Sequence, residues 1–211
     1  MKYLFIDASE NLTHVQTGTE KNFSAKTIDT NRDFAAKITE ICDNMLKEAG
    51  WEKEDLTHLV VCTGPGSLTG LRVADGFLRA LAMVLNIPLI GIDLFKWSIQ
   101  SLSDKGFEGE ARLVMPTLID KAFEVKCQLP QKQQSQPILI EKKDIPSDMK
   151  TFGIRYNHES TERIEPTPEA LHKIILEEAK TAKSGINEIL KVLPLYIIPS
   201  QAERNFKGGD K

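Results

Sequence analysis

The chain has 211 residues, of which 41% are hydrophobic and 27% charged, an ordinary composition for a soluble globular protein of one large or two small domains. The net charge is −3, and no basic patch or stripe is visible, which excludes a protein that grips nucleic acid unaided. No apolar run is long enough for a signal peptide or a bilayer span, so we expect a cytoplasmic protein without membrane contact. Three scattered cysteines, Cys42, Cys62 and Cys127, are expected to be reduced packing residues.

The first half of the chain predicts an α/β layer. Strands are predicted at YLFID, THVQTG, NFSAKTI, HLVVC and PLIGI, with helices at 31–49 and 71–85. Thr30 or Asn31 can cap the first helix, and Gly50 can end it. The order β-β-β-α-β-α-β predicts a mixed sheet flanked by helices.

The second half predicts a smaller sheet and two more helices. FKWSIQSL favours a helix, RLVMPTLID, FEVKCQL and PILIEK favour strands, and QKQQSQ favours a hairpin loop. TPEALHKIILEEA predicts a helix with Thr167 as its cap and Pro168 in its first turn. We place a boundary near residues 95–100, which gives domains 1–97 and 98–211.

The segment GPGSLTG, residues 64–70, joins a predicted strand to a helix. Its glycines let a ligand approach the backbone, and the helix N-terminus that follows would suit an anion. The spacing matches neither a Walker A loop nor G-x-G-x-x-G. Anion binding and a tight structural turn therefore both remain open.

Helix 71–85 is apolar nearly all round. Its polar positions Arg72, Asp75 and Arg79 form one narrow stripe, in which Asp75 can pair with either arginine. The helix is either buried between the sheet and helix 31–49, or the two helices present an apolar surface to another chain; we favour the second. The candidate interface residues are Phe34, Ile38, Ile41, Met45, Leu71, Arg72, Ala74, Phe77, Leu78 and Leu81.

YLFIDAS, GPGSLTGLRV with NIPLIGI, and LPLYIIPSQAE resemble the TsaB family of tRNA threonylcarbamoyladenosine biosynthesis proteins. The resemblance implies an actin/hexokinase-like (ASKHA) α/β fold of two ribonuclease-H-like lobes, the second reduced. It implies a non-catalytic subunit that pairs with TsaD through helices 31–49 and 71–85, works with the ATPase TsaE, forms a homodimer when alone, and meets tRNA only within the complex. This chain departs from the residues usual in the family at four positions, Ala74, Asp75, Lys121 and Ile197.

We expect no catalytic residue and no cofactor of the chain's own. In the nucleotide-binding members of that superfamily a glycine hairpin follows the N-terminal aspartate, whereas Asp7 is followed by ASENLT. ATP or ADP is expected only weakly or shared with a partner, and the residues that would face its phosphates are Asp7, Ser9, Gly64, Gly66, Ser67, Thr69 and Gly70.

The alternative is a self-sufficient ASKHA-type small-molecule kinase or a glycoprotease-like peptidase. The four histidines, at 14, 58, 158 and 172, include no pair at H-x-x-x-H spacing. Two ligands one helical turn apart are what an iron or zinc site of that kind requires, so we expect no metal.

Overall fold

A computed structural model describes residues 1–30, 33–117, 120–146 and 148–195. The first sheet contains five strands in the order β3-β2-β1-β4-β5. β1 pairs antiparallel with β2 and parallel with β4, and β4 pairs parallel with β5. The elements of this half are β1 (Tyr3–Asp7), β2 (Leu12–Gly18), β3 (Phe23–Asp29), α1 (Phe34–Ala49), β4 (His58–Gly64), α2 (Leu68–Leu85) and β5 (Leu89–Asp93).

The predicted order of this half is confirmed, with shifts at the helix ends. α1 begins at Phe34, with Asp33 as its N-cap; Asn31 lies outside the described residues. Thr30 accepts a hydrogen bond from Asp33 N–H through its carbonyl, at 2.9 Å, so it does not cap the helix with its side chain. α2 begins three residues earlier than predicted, because the Ser67 side chain accepts a hydrogen bond from Gly70 N–H.

The second sheet is larger than predicted. It has six strands, in the order β11-β10-β6-β7-β8 with β9 also paired to β7. Three of these strands were not predicted: β8 lies within the expected hairpin loop, and β10 and β11 follow it in the chain. The elements are α3 (Leu94–Asp104), β6 (Gly109–Pro116), β7 (Lys121–Leu129), β8 (Gln133–Gln134), β9 (Ile138–Glu141), β10 (Lys150–Ile154), β11 (Glu162–Ile164), α4 (Pro168–Ala179) and α5 (Ile186–Ile189).

Two hydrophobic clusters lie on opposite faces of the first sheet, because side chains alternate along β1. Tyr3 and Phe5 face the cluster shared with α3, α4 and the second sheet. Leu4 and Ile6 face the cluster under α1 and α2. The predicted domain boundary at 97/98 falls inside α3 and remains a prediction.

A C-terminal strap, residues 186–195, crosses α2 and the end of the first sheet. Arg79 of α2 donates to the carbonyls of Ile189, at 3.0 Å, and of Val192, while Asp75 pairs with the same guanidinium at 2.8 Å. Leu195 N–H donates to the Thr63 carbonyl at 2.7 Å. Of the predicted polar stripe, Arg79 therefore fastens the strap to α2, and Asp75 pairs with Arg79.

Replacing Arg79 by glutamine removes a largely buried cation that holds two strap carbonyls. We expect a loss of about 2 kcal/mol in the free energy of unfolding, since hydrogen bonds to charged groups are the stronger class. Hydrogen exchange of residues 186–195 should also become faster. The control is Arg163→Gln, which breaks an exposed pair with Glu165 and should leave both measurements almost unchanged. Equal strap protection in the two variants would contradict the assignment.

Candidate cleft between the two sheets

A buried ion pair joins the two sheets at the end of β1. Asp7 is fully buried, and its Oδ2 lies 2.9 Å from Nη2 of Arg155, which follows β10 of the second sheet. Ser9 N–H donates to Asp7 Oδ1 at 2.9 Å. The aspartate expected to face a phosphate thus faces a cation of the chain's own second lobe.

Arg155 is held in place from several sides. Its guanidinium carbon lies 5.4 Å from the centre of the Trp97 ring, and Nη1 donates to Ser9 Oγ at 3.4 Å. Its backbone has a positive φ of 52°, uncommon for a residue with a side chain, and its N–H donates to the Ile164 carbonyl at 2.9 Å. Arg155 was not predicted as a site residue, because the FGIR stretch has no motif and only the need of a buried Asp7 for a cation could have indicated it.

The electrostatics of the cleft follow from burial and from this pair. Burial is the largest single influence on the pKa of Asp7 and would raise it, but the Arg155 guanidinium, His14 and the hydrogen bonds from Ser9 together hold the pKa below its usual value. Burial lowers the pKa of His14, and the nearby Arg155 lowers it further, while Asp7 and Glu165 raise it without reversing the shift. Burial raises the pKa of Glu10.

The glycine loop packs on the chain's own β1–β2 turn. A Cβ on Gly66 would lie 2.3 Å from the Ser9 carbonyl oxygen, and one on Gly70 only 2.0 Å from that of Ala8. Ser67 N–H donates to the Ser9 carbonyl at 2.6 Å. The close backbone approach that these glycines permit is therefore made to the protein itself.

The expected phosphate-facing residues separate into two groups. Asp7, Ser9 and Gly64 are buried, and Gly66 lies against the turn. Ser67, Thr69 and Gly70 line a groove of about 290 Å³ between α1 and α2, together with the acidic Glu10. This group could face a ligand, but a carboxylate beside it disfavours an anion.

Most of the expected interface residues lie in the chain's own core. The seven buried ones are Phe34, Ile38, Ile41, Met45, Leu71, Ala74 and Leu78. Their apolar stripe is wide because α1 and α2 pack on the sheet and on each other. In this conformation those side chains are not available to a partner. Arg72 is exposed, and Phe77 and Leu81 are half-buried.

The accessible apolar surface of α2 lies elsewhere on the helix. Val84 is 78% exposed, Met83 38% and Leu68 36%. Val84 follows Phe77 by seven residues, so the two share one side of the helix, next to Leu81. This side of α2 includes Val84, which was not among the interface residues predicted from the sequence.

Within the described ranges, no group of three or more His, Cys, Asp or Glu side chains could hold a metal ion. Cys42, Cys62 and Cys127 are buried free thiols. None of the helices in the described part of the chain is long and apolar enough to cross a membrane.

Comparison with known proteins gives partial matches. The family model described as "TsaD: tRNA N6-adenosine threonylcarbamoyltransferase" matches residues 27–112. The TsaB protein of Buchnera aphidicola subsp. Schizaphis graminum is 28% identical over 89 residues, 42% of each chain. TsaB of Escherichia coli K12 is 27% identical over 92 residues, 44% of this chain and 40% of that protein. The tRNA N6-adenosine threonylcarbamoyltransferase of Clostridioides difficile is 31% identical over 84 residues, 39% of this chain and 25% of the enzyme. The matched region spans less than half the length of each of these curated relatives.

Two solved structures share the fold over almost the whole chain. One, described as a protein with similarity to peptidase YEAZ from Pseudomonas aeruginosa, has a TM-score of 0.75 at 17% identity and covers 93% of this chain and 99% of that one. YeaZ from Pseudomonas aeruginosa has a TM-score of 0.74 at 18% identity, with 92% and 99% covered. The two sheets and the arrangement of their helices define an α/β protein of the ASKHA class. The sequence is thus similar to TsaB proteins over less than half of this chain, and the two solved structures share its fold over almost the whole chain.

Gly70 and Gly76 lie in the same helix and offer a matched pair of substitutions. Gly70→Ala forces a methyl group onto the Ala8 carbonyl, and we expect it to cost about 3 kcal/mol of unfolding free energy. Gly76→Ala has nothing within 4 Å of its new Cβ and should stabilise the helix by about 1 kcal/mol. Urea denaturation measures both. If Gly70→Ala is as stable as Gly76→Ala, the loop does not pack as described.

Removing either partner of the Asp7–Arg155 pair leaves a buried charge or dipole without its counterpart. We expect Asp7→Asn and Arg155→Met each to lower the unfolding free energy by about 3 kcal/mol, and the double variant to lose clearly less than the sum.

The same pair predicts a dependence of stability on pH. Because the pKa of Asp7 is lowered in the fold, its stabilisation is fully present above about pH 4 and is lost as the pH falls through the folded-state value. Denaturation series between neutral and acid pH should show this loss in the parent and a smaller loss in Asp7→Asn. Parallel curves would contradict the role assigned to the pair.

Proposed function

We propose that the chain is a non-catalytic subunit of the complex that makes N6-threonylcarbamoyladenosine in tRNA. It pairs with a TsaD-like catalytic subunit and works with a TsaE-like ATPase in the cytoplasm. The names of the relatives support this proposal: two are tRNA threonylcarbamoyladenosine biosynthesis proteins TsaB, and the third is a tRNA N6-adenosine threonylcarbamoyltransferase.

The observation that carries the non-catalytic part of the proposal is the closed cleft. Asp7 is neutralised by Arg155, and the loop glycines touch the backbone of Ala8 and Ser9. A phosphotransferase would need that carboxylate and that backbone free for a metal–nucleotide complex. ATP or ADP would then bind only weakly or at a site shared with the partner.

The interface proposed for the TsaD-like subunit, and for a homodimer of the isolated chain, centres on α2. Phe77, Leu81 and Val84 supply apolar contact area, with Arg72 exposed on the same helix. α1 turns charged residues such as Glu40 and Lys47 outward, and these would form a polar rim. The net charge of −3 agrees with tRNA being bound through the complex.

The alternative of a self-sufficient kinase or peptidase is not favoured by the comparisons, although one structural relative is described as similar to a peptidase. A modification assay with the TsaD-like subunit, with and without this chain, separates the functions. Isothermal titration of the isolated chain with ATP and ADP adds a second criterion, since sub-micromolar binding with turnover would overturn the proposal.

The interface is tested by Val84→Lys, which places a charge on the most exposed apolar residue of α2. Lysine near a helix C-terminus is compatible with the helix dipole, so the fold should persist. We expect at least tenfold weaker co-purification with the TsaD-like subunit, because a charge at the centre of an apolar contact is desolvated without a partner.

The control is Ile138→Lys, an equally simple change on β9, where isoleucine is 51% exposed. It should leave co-purification unchanged. If both variants retain the TsaD-like subunit equally and keep the circular dichroism spectrum of the parent, α2 is not part of the interface.

A further inference from the structure

The second sheet has an uncovered apolar edge at β9. Ile138 is 51% exposed and Leu139 38%, and in the described part of the chain β9 pairs with β7 alone. Among the described residues, no backbone hydrogen bond from another segment reaches the outer side of the strand. An edge with apolar side chains and unpaired backbone groups is a template for a further strand.

The other edges of the two sheets have features that oppose strand addition. β3 has the exposed Lys26 at its centre, and β11 has two charges in its three residues, ERI. β5 lies beside the C-terminal strap, since a Cβ on Gly91 would lie 2.9 Å from the Val192 side chain. β8 has only two residues, both glutamine. Charged, short or covered edges prevent strand addition, so β9 is the exception.

The hydrogen bonds to β7 determine which backbone groups of β9 point outward. Lys142 N–H donates to the carbonyl of the residue before β7, at 2.7 Å. Hydrogen-bonded pairs alternate along an antiparallel ladder, so Ile138 and Ile140 direct their N–H and C=O groups toward β7. Leu139 and Glu141 therefore direct theirs to the open side.

We propose that β9 pairs antiparallel with β9 of a second copy of this chain, about a two-fold axis at Leu139. The outward groups of Leu139 then bond to those of Leu139 in the second copy, and Glu141 N–H donates to the Pro137 carbonyl. Ile138 lies opposite Ile140 of the second copy on one face of the joined sheets, and the two Leu139 side chains meet on the other face.

The side chains favour this register over the neighbouring one. An axis at Ile140 would place Leu139 opposite Glu141 and Ile138 opposite Lys142, so that apolar groups would lie against charges. With the axis at Leu139, the three apolar side chains of β9 each meet another apolar side chain, and no like charges are opposed. A second copy thus supplies the complementary strand.

The contact is small, so the association is expected to be weak. A four-residue strand buries much less than the roughly 800 Å² per partner of a stable interface, and we expect a dissociation constant on the order of 0.1 mM. The contact uses no residue of α2. It can therefore hold or fail without changing the proposed function.

The test uses the full chain with Val84→Lys, which suppresses the homodimer proposed through α2. Sedimentation velocity between about 10 μM and 1 mM should show concentration-dependent dimers. Leu139→Lys in this background places two ammonium groups at the axis and should weaken the association at least tenfold. Leu139→Glu should weaken it equally, because it opposes two carboxylates.

Amide exchange locates the contact. Exchange of the outward Leu139 N–H should slow several-fold as the concentration rises, because association gives this group a hydrogen-bond partner. Ile140 N–H already bonds to β7 and should exchange at a rate that does not depend on concentration. The same response at both amides would contradict the proposed pairing.

An equimolar mixture of the Leu139→Lys and Leu139→Glu variants separates lost contact from lost folding. Lysine and glutamate then lie opposite each other at the axis, and the mixture should associate at least tenfold more tightly than either variant alone. The control is Ile186→Lys, a similar change at a 59% exposed isoleucine of the strap, which should leave the association unchanged. A chain that stays monomeric at the highest concentration, equal association with and without Leu139→Lys, or no gain in the mixture would overturn the proposal.

Discussion

The ion pair between Asp7 and Arg155 sets the relation between the two sheets. A buried carboxylate is costly unless a cation accompanies it, and here the cation comes from the far lobe. The lobes are therefore coupled by a charge interaction, in addition to the apolar cluster that they share. In this structure Asp7 Oδ2 faces the Arg155 guanidinium, and the proposed non-catalytic role rests on that contact.

The backbone of the glycine loop, like the Asp7 side chain, contacts another part of the same chain. Its glycines are required by contacts of 2.0 and 2.3 Å that a Cβ would make with the β1–β2 turn. The loop thereby sets the first turn of α2, whose cap is Ser67. A glycine motif indicates a close approach to the main chain, but the sequence does not say whether a phosphate or the protein makes it.

Local patterns predicted the first sheet well and the second one poorly. β1, β4 and β5 are short apolar runs bounded by turn residues, and α4 has a cap and a proline. The local sequence is therefore sufficient to predict each of these elements. β10 and β11 are short segments, KTFGI and ERI; the strand structure of β10 depends on pairing with β6, and that of β11 on pairing with β10. Arg155 follows β10, so the residue that completes the cleft was missed for the same reason.

The surroundings of α2 limit where a partner can bind. Leu71, Leu78 and Ala82 face the core, while Asp75 and Arg79 on the next side hold the C-terminal strap. What remains is the side that bears Phe77 and Val84. Internal packing thus accounts for only some of the apolar residues of α2, because the Val84 side chain is exposed. The strap covers one side of the helix, and the side that bears Phe77 and Val84 is the one assigned to the proposed interface.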